Sequence, residues 1–265
     1  CCGPCSLEPT RLLKAAGHDI TIYYANSNIH PAEEYEHRLA TLRAWAADAG
    51  FEVLEGPYDP ATWEACAGRI GDAAIAEVEG ARAEAGAESE CASEGASPRA
   101  AVLSVDPARR EARCRACYRL RLEETARVAA EQGFEGIGTT LSVSPYQYTQ
   151  VIREEVERAA TQAGVVPVFE DFRPYYDEAT RESRELGMYR QNFCGCRISD
   201  LEAAAERAER KEQRAAAKAA ERAAHADERA AEEAARAAHK AERAAYDKKQ
   251  ARKRAILKAL REQGK

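Results

Sequence analysis

The 265-residue sequence contains no continuous apolar run of membrane-spanning length and no hydrophobic signal segment. The expectation is therefore a cytoplasmic chain with no membrane partner. It has no Gly-rich dinucleotide fingerprint and no P-loop, which leaves metals as the only evident electron carriers. It also lacks a C-x-x-x-C-x-x-C run, so a radical-SAM reading has no support. Residues 201–265 have no Pro, no internal Gly before Gly264, and no sustained seam of large apolar residues. That combination predicts a solvated helix rather than a coiled coil, about 95 Å long at roughly 1.5 Å per residue.

Cysteine is what the chain does have, nine in all, an odd count. Seven fall in three tight groups: Cys1, Cys2 and Cys5 as C-C-G-P-C, Cys114 and Cys117 as C-R-A-C, and Cys194 and Cys196 as C-G-C. Vicinal and i,i+2 pairs are poor spacings for structural disulfides, so thiolate ligands in a reducing compartment are the better reading. Seven thiols exceed the four that one cubane cluster or one tetrahedral zinc takes, which allows two adjacent centres. Cys66 reads as an ordinary buried cysteine beside Trp63, and Cys91 as a free thiol.

The formal charge of -6 is unevenly spread. Residues 201–265 hold 18 Lys+Arg against 12 Asp+Glu, leaving residues 1–200 with a net charge of -12. An acidic body argues against broad, non-specific nucleic-acid binding, while a local basic pocket remains compatible with it.

Alternating helix and strand signals predict an α/β fold with a mainly parallel sheet flanked by helices. Helices are expected over 6–16 (capped by Ser6, with Pro9 in the first turn), from Pro31 to near Gly50, around 61–70, over 114–132 and over 145–163. Strands are expected over 19–25, 51–54, 137–143 and 165–169. Residues 78–112 read as a low-complexity insertion, mostly loop with some helix. Two domains result: 1–200 as a metal-binding catalytic body and 201–265 as an Ala/Glu/Arg/Lys-rich helical tail. Cys5 and Cys114 are each placed at a helix start, where the dipole favours thiolate.

The strings Cys1–Ser6 (CCGPCS), Asn26–Arg38 (NSNIHPAEEYEHR), Cys114–Ala126 (CRACYRLRLEETA), Thr139–Pro145 (TTLSVSP) and Tyr189–Ser199 (YRQNFCGCRIS) resemble the signature blocks of the QueH-type epoxyqueuosine reductases. The resemblance spans residues 1–200. It implies a HUP-like α/β fold carrying a [4Fe–4S] cluster beside one further metal ion, most simply iron. It also implies reduction of epoxyqueuosine to queuosine at the wobble position of tRNA, with an electron donor of unknown identity. Carried over by motif, Cys2, Cys5, Cys114 and Cys117 would hold the cluster, and Cys1, Cys194 and Cys196 the single ion. The resemblance further implies an apolar strand immediately ahead of the C-C pair, which would put the natural start upstream of Cys1.

Tyr189 and His30 are candidate proton donors. Arg119, Arg190, Gln191, Asn192, Thr139 and Thr140 are candidate substrate contacts; Arg119 and Arg121, close to the second cysteine pair, could each either contact the tRNA or offset cluster charge. Ser144 before Pro145 reads as a helix N-cap. Tyr146, Tyr148, Tyr175 and Tyr176 are available to stack bases. Two other readings stand beside this one: a non-catalytic zinc-binding RNA module, and another HUP-class tRNA-modifying enzyme, such as an ATP-using sulfur-inserting one. The latter would call for an S-G-G-x-D-S-like loop, which is absent.

Overall fold

The computed structural model describes residues 3–87 and 98–263. Cys1, Cys2 and Cys91 lie outside the described residues. The fold is mixed α/β and mostly helical. Its elements run α1 (Gly3–Ala15), β1 (Thr21–Tyr24), α2 (Ala32–Ala49), β2 (Glu52–Glu55), α3 (Pro60–Trp63), a π-helical turn (Glu64–Gly68), α4 (Arg69–Ala87), α5 (Pro98–Leu103) and α6 (Pro107–Gln132). They continue through β3 (Gly136–Ile137), a 3-10 turn (Leu141–Val143), α7 (Thr149–Ala163), β4 (Val166–Pro167), a second 3-10 turn (Arg173–Tyr175), α8 (Tyr176–Glu185) and α9 (Arg197–Gln263).

Helix ends follow local chemistry closely. Pro31 stands at the N-cap of α2, and Gly50, Gly133 and Gly164 close α2, α6 and α7 in the left-handed conformation that glycine adopts without steric cost. Other expectations need correcting. Ser6 does not cap α1: the helix begins at Gly3, Ser6 is buried inside it, and Pro9 lies in the helix interior rather than its first turn. Cys114 does not open a helix either, because Asp106 caps α6 through a 2.7 Å bond from Ala108 N–H, with Pro107 at the first helical position. The described parts of 78–112 are mainly helical, not loop. Ser144 caps no α-helix; its hydroxyl accepts from Tyr146 N–H at 3.4 Å in a turn ahead of α7.

The sheet differs most. Among the described residues there are two separate parallel pairs, β1 with β2 (Thr21 opposite Glu52) and β3 with β4 (Gly136 opposite Val166), rather than one continuous sheet. The segment expected to be a strand over 137–143 pairs only at Gly136–Ile137 and then coils into the 3-10 turn. Val166–Pro167 is equally short, since proline has no N–H to extend a ladder.

The principal core lies between α6 and α7. Tyr118, Leu122, Ala126 and Ala129 recur at helical spacing on α6 and meet Ile152, Val156, Ala159 and Ala160 on α7. The edge of this α6–α7 contact carries charge: Glu155 of α7 is 1% exposed, and accepts from Arg119 at 3.0 and 2.8 Å, Arg158 at 2.9 Å and Arg115 at 3.3 Å. One compact unit ends at Glu206, and the second, from Arg207, is the remainder of α9. Described side chains in that second unit are almost all exposed, as suits a helix polar on every side.

Candidate metal and substrate site

Five cysteines from all three sequence groups line one cavity of about 230 Å³ in the first unit: Cys5, Cys114, Cys117, Cys194 and Cys196. Cys5 enters from the first turn of α1. Cys114 and Cys117 stand one turn apart on α6, in its interior. Cys194 and Cys196 come from the loop that feeds α9, their sulfurs 3.7 Å apart. Among the described residues no group of three His, Cys, Asp or Glu side chains closes on one point, so the thiols line a shared space rather than a finished ligand cage. Cys66, on the π-helical turn, packs against the Trp63, Cys117 and Cys196 cluster but does not line the cavity, its thiol donating to Trp63 O at 3.4 Å.

The charge of the lining is one-sided. Arg38, Arg113, Arg121 and Arg190 face the cavity, and no Asp, Glu or His stands among its described lining residues. Each cysteine on the α6 and α9 sides has a polar neighbour. Arg113 Nη2 donates to Cys114 Sγ at 3.7 Å, Ser199 Oγ lies 3.0 Å from Cys194 Sγ, and Ser199 N–H donates to Cys196 Sγ at 3.3 Å. Arg121 and the Trp63 indole N–H favour negative charge on Cys117. Burial pushes the Cys114 thiol up to about 12 and the Cys117 thiol upward as well, against the pull of these cations. Cys194 is held below the ordinary thiol range by its hydrogen bond with Cys196, which drives Cys196 upward in turn.

The C-G-C turn is tightly enclosed. Gly195 has φ of +126°, and a Cβ there would lie 2.9 Å from Ile29 Cγ1 and 3.1 Å from both Arg38 Nη1 and Asn28 Nδ2. Arg38 Nη1 also donates to Cys194 O at 3.0 Å, and His30 N–H to Gly195 O at 2.9 Å. Gly195→Ala is expected to cost about 1–3 kcal/mol of stability and to move the pair. Chemical denaturation, with the rate at which a thiol probe labels Cys194, measures both effects.

Several sequence candidates fall elsewhere. His30 is not a lining residue: its ring packs 5.5 Å from Trp63, its Nε2 stands 3.7 Å from Glu64 Oε1, and burial lowers its pKa. Tyr189 also lies outside the lining, donating to Glu34 Oε2 at 2.8 Å and stacked 3.8 Å from His37. Burial and then Glu34 raise its pKa. Arg119 is engaged with Glu155, away from the cysteines. Thr139 Oγ1 accepts from Leu141 N–H at 3.2 Å, and Thr140 precedes the 3-10 turn; neither lines the cavity. Arg190, Gln191 and Asn192 do line it.

Asn26, Asn28, Arg38, Trp63 and Arg113 were missed. Three of them sit in the 26–38 string, where only His30 had been singled out. A signal for Arg113 was present: it stands four residues before Cys117, beside the face that Cys114, Cys117, Tyr118 and Arg121 share, whereas Arg115 and Arg119 share another.

The family model described as epoxyqueuosine reductase QueH matches residues 1–84 and 97–202. A protein of that name from Dehalococcoides mccartyi is 28% identical over 203 residues, covering 76% of this chain and 90% of its own length. One from Staphylococcus aureus is 27% identical over 205 residues, covering 74% and 71%. One from Thermotoga maritima is 40% identical over 99 residues, covering 37% and 52%. The residues between the two matched segments, 85–96, fall inside the 78–112 stretch.

Proposed function

This chain belongs to the epoxyqueuosine reductase QueH family, and on that premise we propose that it is an oxidoreductase converting epoxyqueuosine to queuosine in tRNA. The supporting observation is the meeting of five thiols from the beginning, middle and end of the body in one cavity edged by arginines. Soft sulfur donors without a carboxylate or imidazole suit iron–sulfur or zinc chemistry rather than a hard cation. The guanidiniums suit an occupant of negative charge, as a thiolate-bound cluster is. We assign Cys2, Cys5, Cys114 and Cys117 to a [4Fe–4S] cluster and Cys1, Cys194 and Cys196 to a single iron. Bound there, the two centres would supply electrons and a Lewis acid for the epoxide oxygen.

The overall change needs two electrons and two protons, and releases the epoxide oxygen as water. The chain's own residues exclude solvent and orient the substrate. Asn26, Asn28 and Arg38, all buried, form the inner wall, while exposed Arg190 and Asn192 stand toward solvent, where ribose or phosphate would pass. Of the four candidate tyrosines, Tyr146 is 80% exposed, lines the cavity and meets Tyr176 edge to face, with ring centroids 6.1 Å apart. It is the residue placed to stack on an anticodon-loop base. The parallel β1–β2 pair with its helices is compatible with a HUP-like arrangement. A tRNA substrate suits a cytoplasmic protein, and no helix among the described residues is long and apolar enough to cross a membrane.

The test is anaerobic purification, then reduction and incubation with tRNA containing epoxyqueuosine. About four to five irons with labile sulfide, and loss of one oxygen from the nucleoside by mass spectrometry, are expected. Stoichiometric zinc without turnover would favour a binding module.

A further inference from the structure

Arg121 is a buried cation with an unusual set of partners. It is 8% exposed, and it donates from Nε to Ala25 O and from Nη2 to Asn26 Oδ1, both at 2.7 Å. Both acceptors are neutral, and among the described residues no carboxylate forms an ion pair with it. Arg113, by contrast, is neutralised by Glu202 at 2.8 and 3.1 Å, and Arg38 by Glu34 at 2.6 Å. Burying a guanidinium without a counter-anion is strongly unfavourable, so the fold keeps this charge at a cost. Of the two acidic groups its charge acts on, the Cys117 thiol, four residues earlier on the same face of α6, lines the cavity with it, whereas the Glu124 carboxyl, three residues later, does not.

Trp63 adds a second donor at the same place. Its side chain is fully buried in a cluster with Cys117, Cys196 and Ile198, and its Nε1–H has no hydrogen-bond partner among the described residues. A buried indole N–H ordinarily finds an acceptor. Sulfur at the Cys117 position is the group that would use it. The cysteines of the C-G-C turn have the neutral Ser199, and the cation acting on them, Arg113, is already paired with Glu202.

We propose that Arg121 and Trp63 are positioning residues that set the reduction potential of the redox centre held through Cys117. The proposal rests on the iron–sulfur reading given above. Reduction adds negative charge to a thiolate-bound centre. A fixed cation and a preorganised N–H in a dry cavity stabilise that added charge and raise the potential. The neighbouring C-G-C cysteines are acted on by Arg113, whose charge Glu202 offsets, and are left at lower positive field. The two sets of thiols are thereby made electrostatically unequal, favouring arrival of an electron on the Cys117 side.

Trp63→Phe keeps the ring's bulk and removes the N–H, Arg121→Gln removes the charge, and Arg121→Lys keeps it. Anaerobically loaded proteins are compared by redox titration followed by electron paramagnetic resonance, with iron and sulfide content measured on each sample. Trp63→Phe and Arg121→Gln are expected to disfavour the reduced state by roughly tenfold or more, ~59 mV for a one-electron couple. Arg121→Lys is expected to fall between them and the parent. A merely structural role would alter iron content or melting temperature and leave the potential of loaded protein where it was. Should Arg121→Gln hold no iron, Trp63→Phe decides the matter. Loaded variants titrating with the parent overturn the proposal alone, whereas a parent that assembles no iron–sulfur centre overturns the reading beneath it.

Discussion

Cys114→Ser and Cys117→Ser are each expected to reduce epoxyqueuosine turnover by more than ~10³-fold, equivalent to about 4 kcal/mol of transition-state stabilisation. The two sulfurs sit on a rigid helix whose next turn is locked into the α6–α7 core through Tyr118 and Leu122. A serine oxygen there is a shorter, harder and far less acidic donor, and the helix cannot shift to compensate. Among the described residues no further thiol lines the cavity, and Cys66 is tied into the π-helical turn by its bond to Trp63 O. Cys66→Ser is therefore the matched control, expected to stay within a few-fold of the parent. Nucleoside mass spectrometry on tRNA treated with each protein, read beside iron content, checks the comparison. Turnover by Cys114→Ser close to that of the parent would remove the α6 pair from the chemistry.

The largest expected effect on stability belongs to Glu155. Burial alone would raise its pKa, but hydrogen bonds from Arg119 and Arg158 outweigh it and hold the carboxyl at about 2, against an ordinary 4.5. A depressed carboxyl contributes stability that is complete above the unfolded value and is lost as pH falls toward the folded one. The difference corresponds to about 3 kcal/mol at neutral pH. Glu155→Ala should lose about that much at pH 7 and leave three arginines facing one another. The parent should approach the variant as pH falls from about 5 toward 2. Urea denaturation at a series of pH values reads this directly, and parallel curves for the two proteins would show that the cluster contributes nothing. Arg119, attractive as a substrate contact because it stands two residues from Cys117, is accounted for by this cluster.

That reassignment shows what a sequence does and does not reveal here. The five signature strings lie on most of the segments that reach the cavity, with α3 (Trp63) and α8 (Tyr176, Ser183) outside them, because a string carries identity and order. They did not carry rotation. Two residues along a helix is about 200° around it, so Arg119 points to α7 while Arg121, four from Cys117, returns to the sulfur. Helix ends governed by one residue, such as Gly50, Gly133 and Gly164, were legible because left-handed glycine is a local matter. Strand lengths were not, since pairing depends on a partner far away in the chain: Ile137–Val143 reads as a strand, but only Ile137 among those residues finds one. The start of α6 was hidden for a different reason. Asp106–Pro107 is an ordinary capping signal set in a Gly-, Ala- and Glu-rich stretch whose composition suggested a loop.

Placing Cys114 and Cys117 mid-helix rather than at a helix mouth restricts how the gene can change length. One residue inserted between Cys117 and Arg121 would swing both sulfurs by about 100° away from that arginine and the tryptophan, while the packed side chains beyond stayed put. Four would nearly recover the angle but slide the pair by about 6 Å. Ahead of Asp106 no such phase has to be kept, and it is there, at residues 85–96, that the chain carries sequence outside the segments matched by its family.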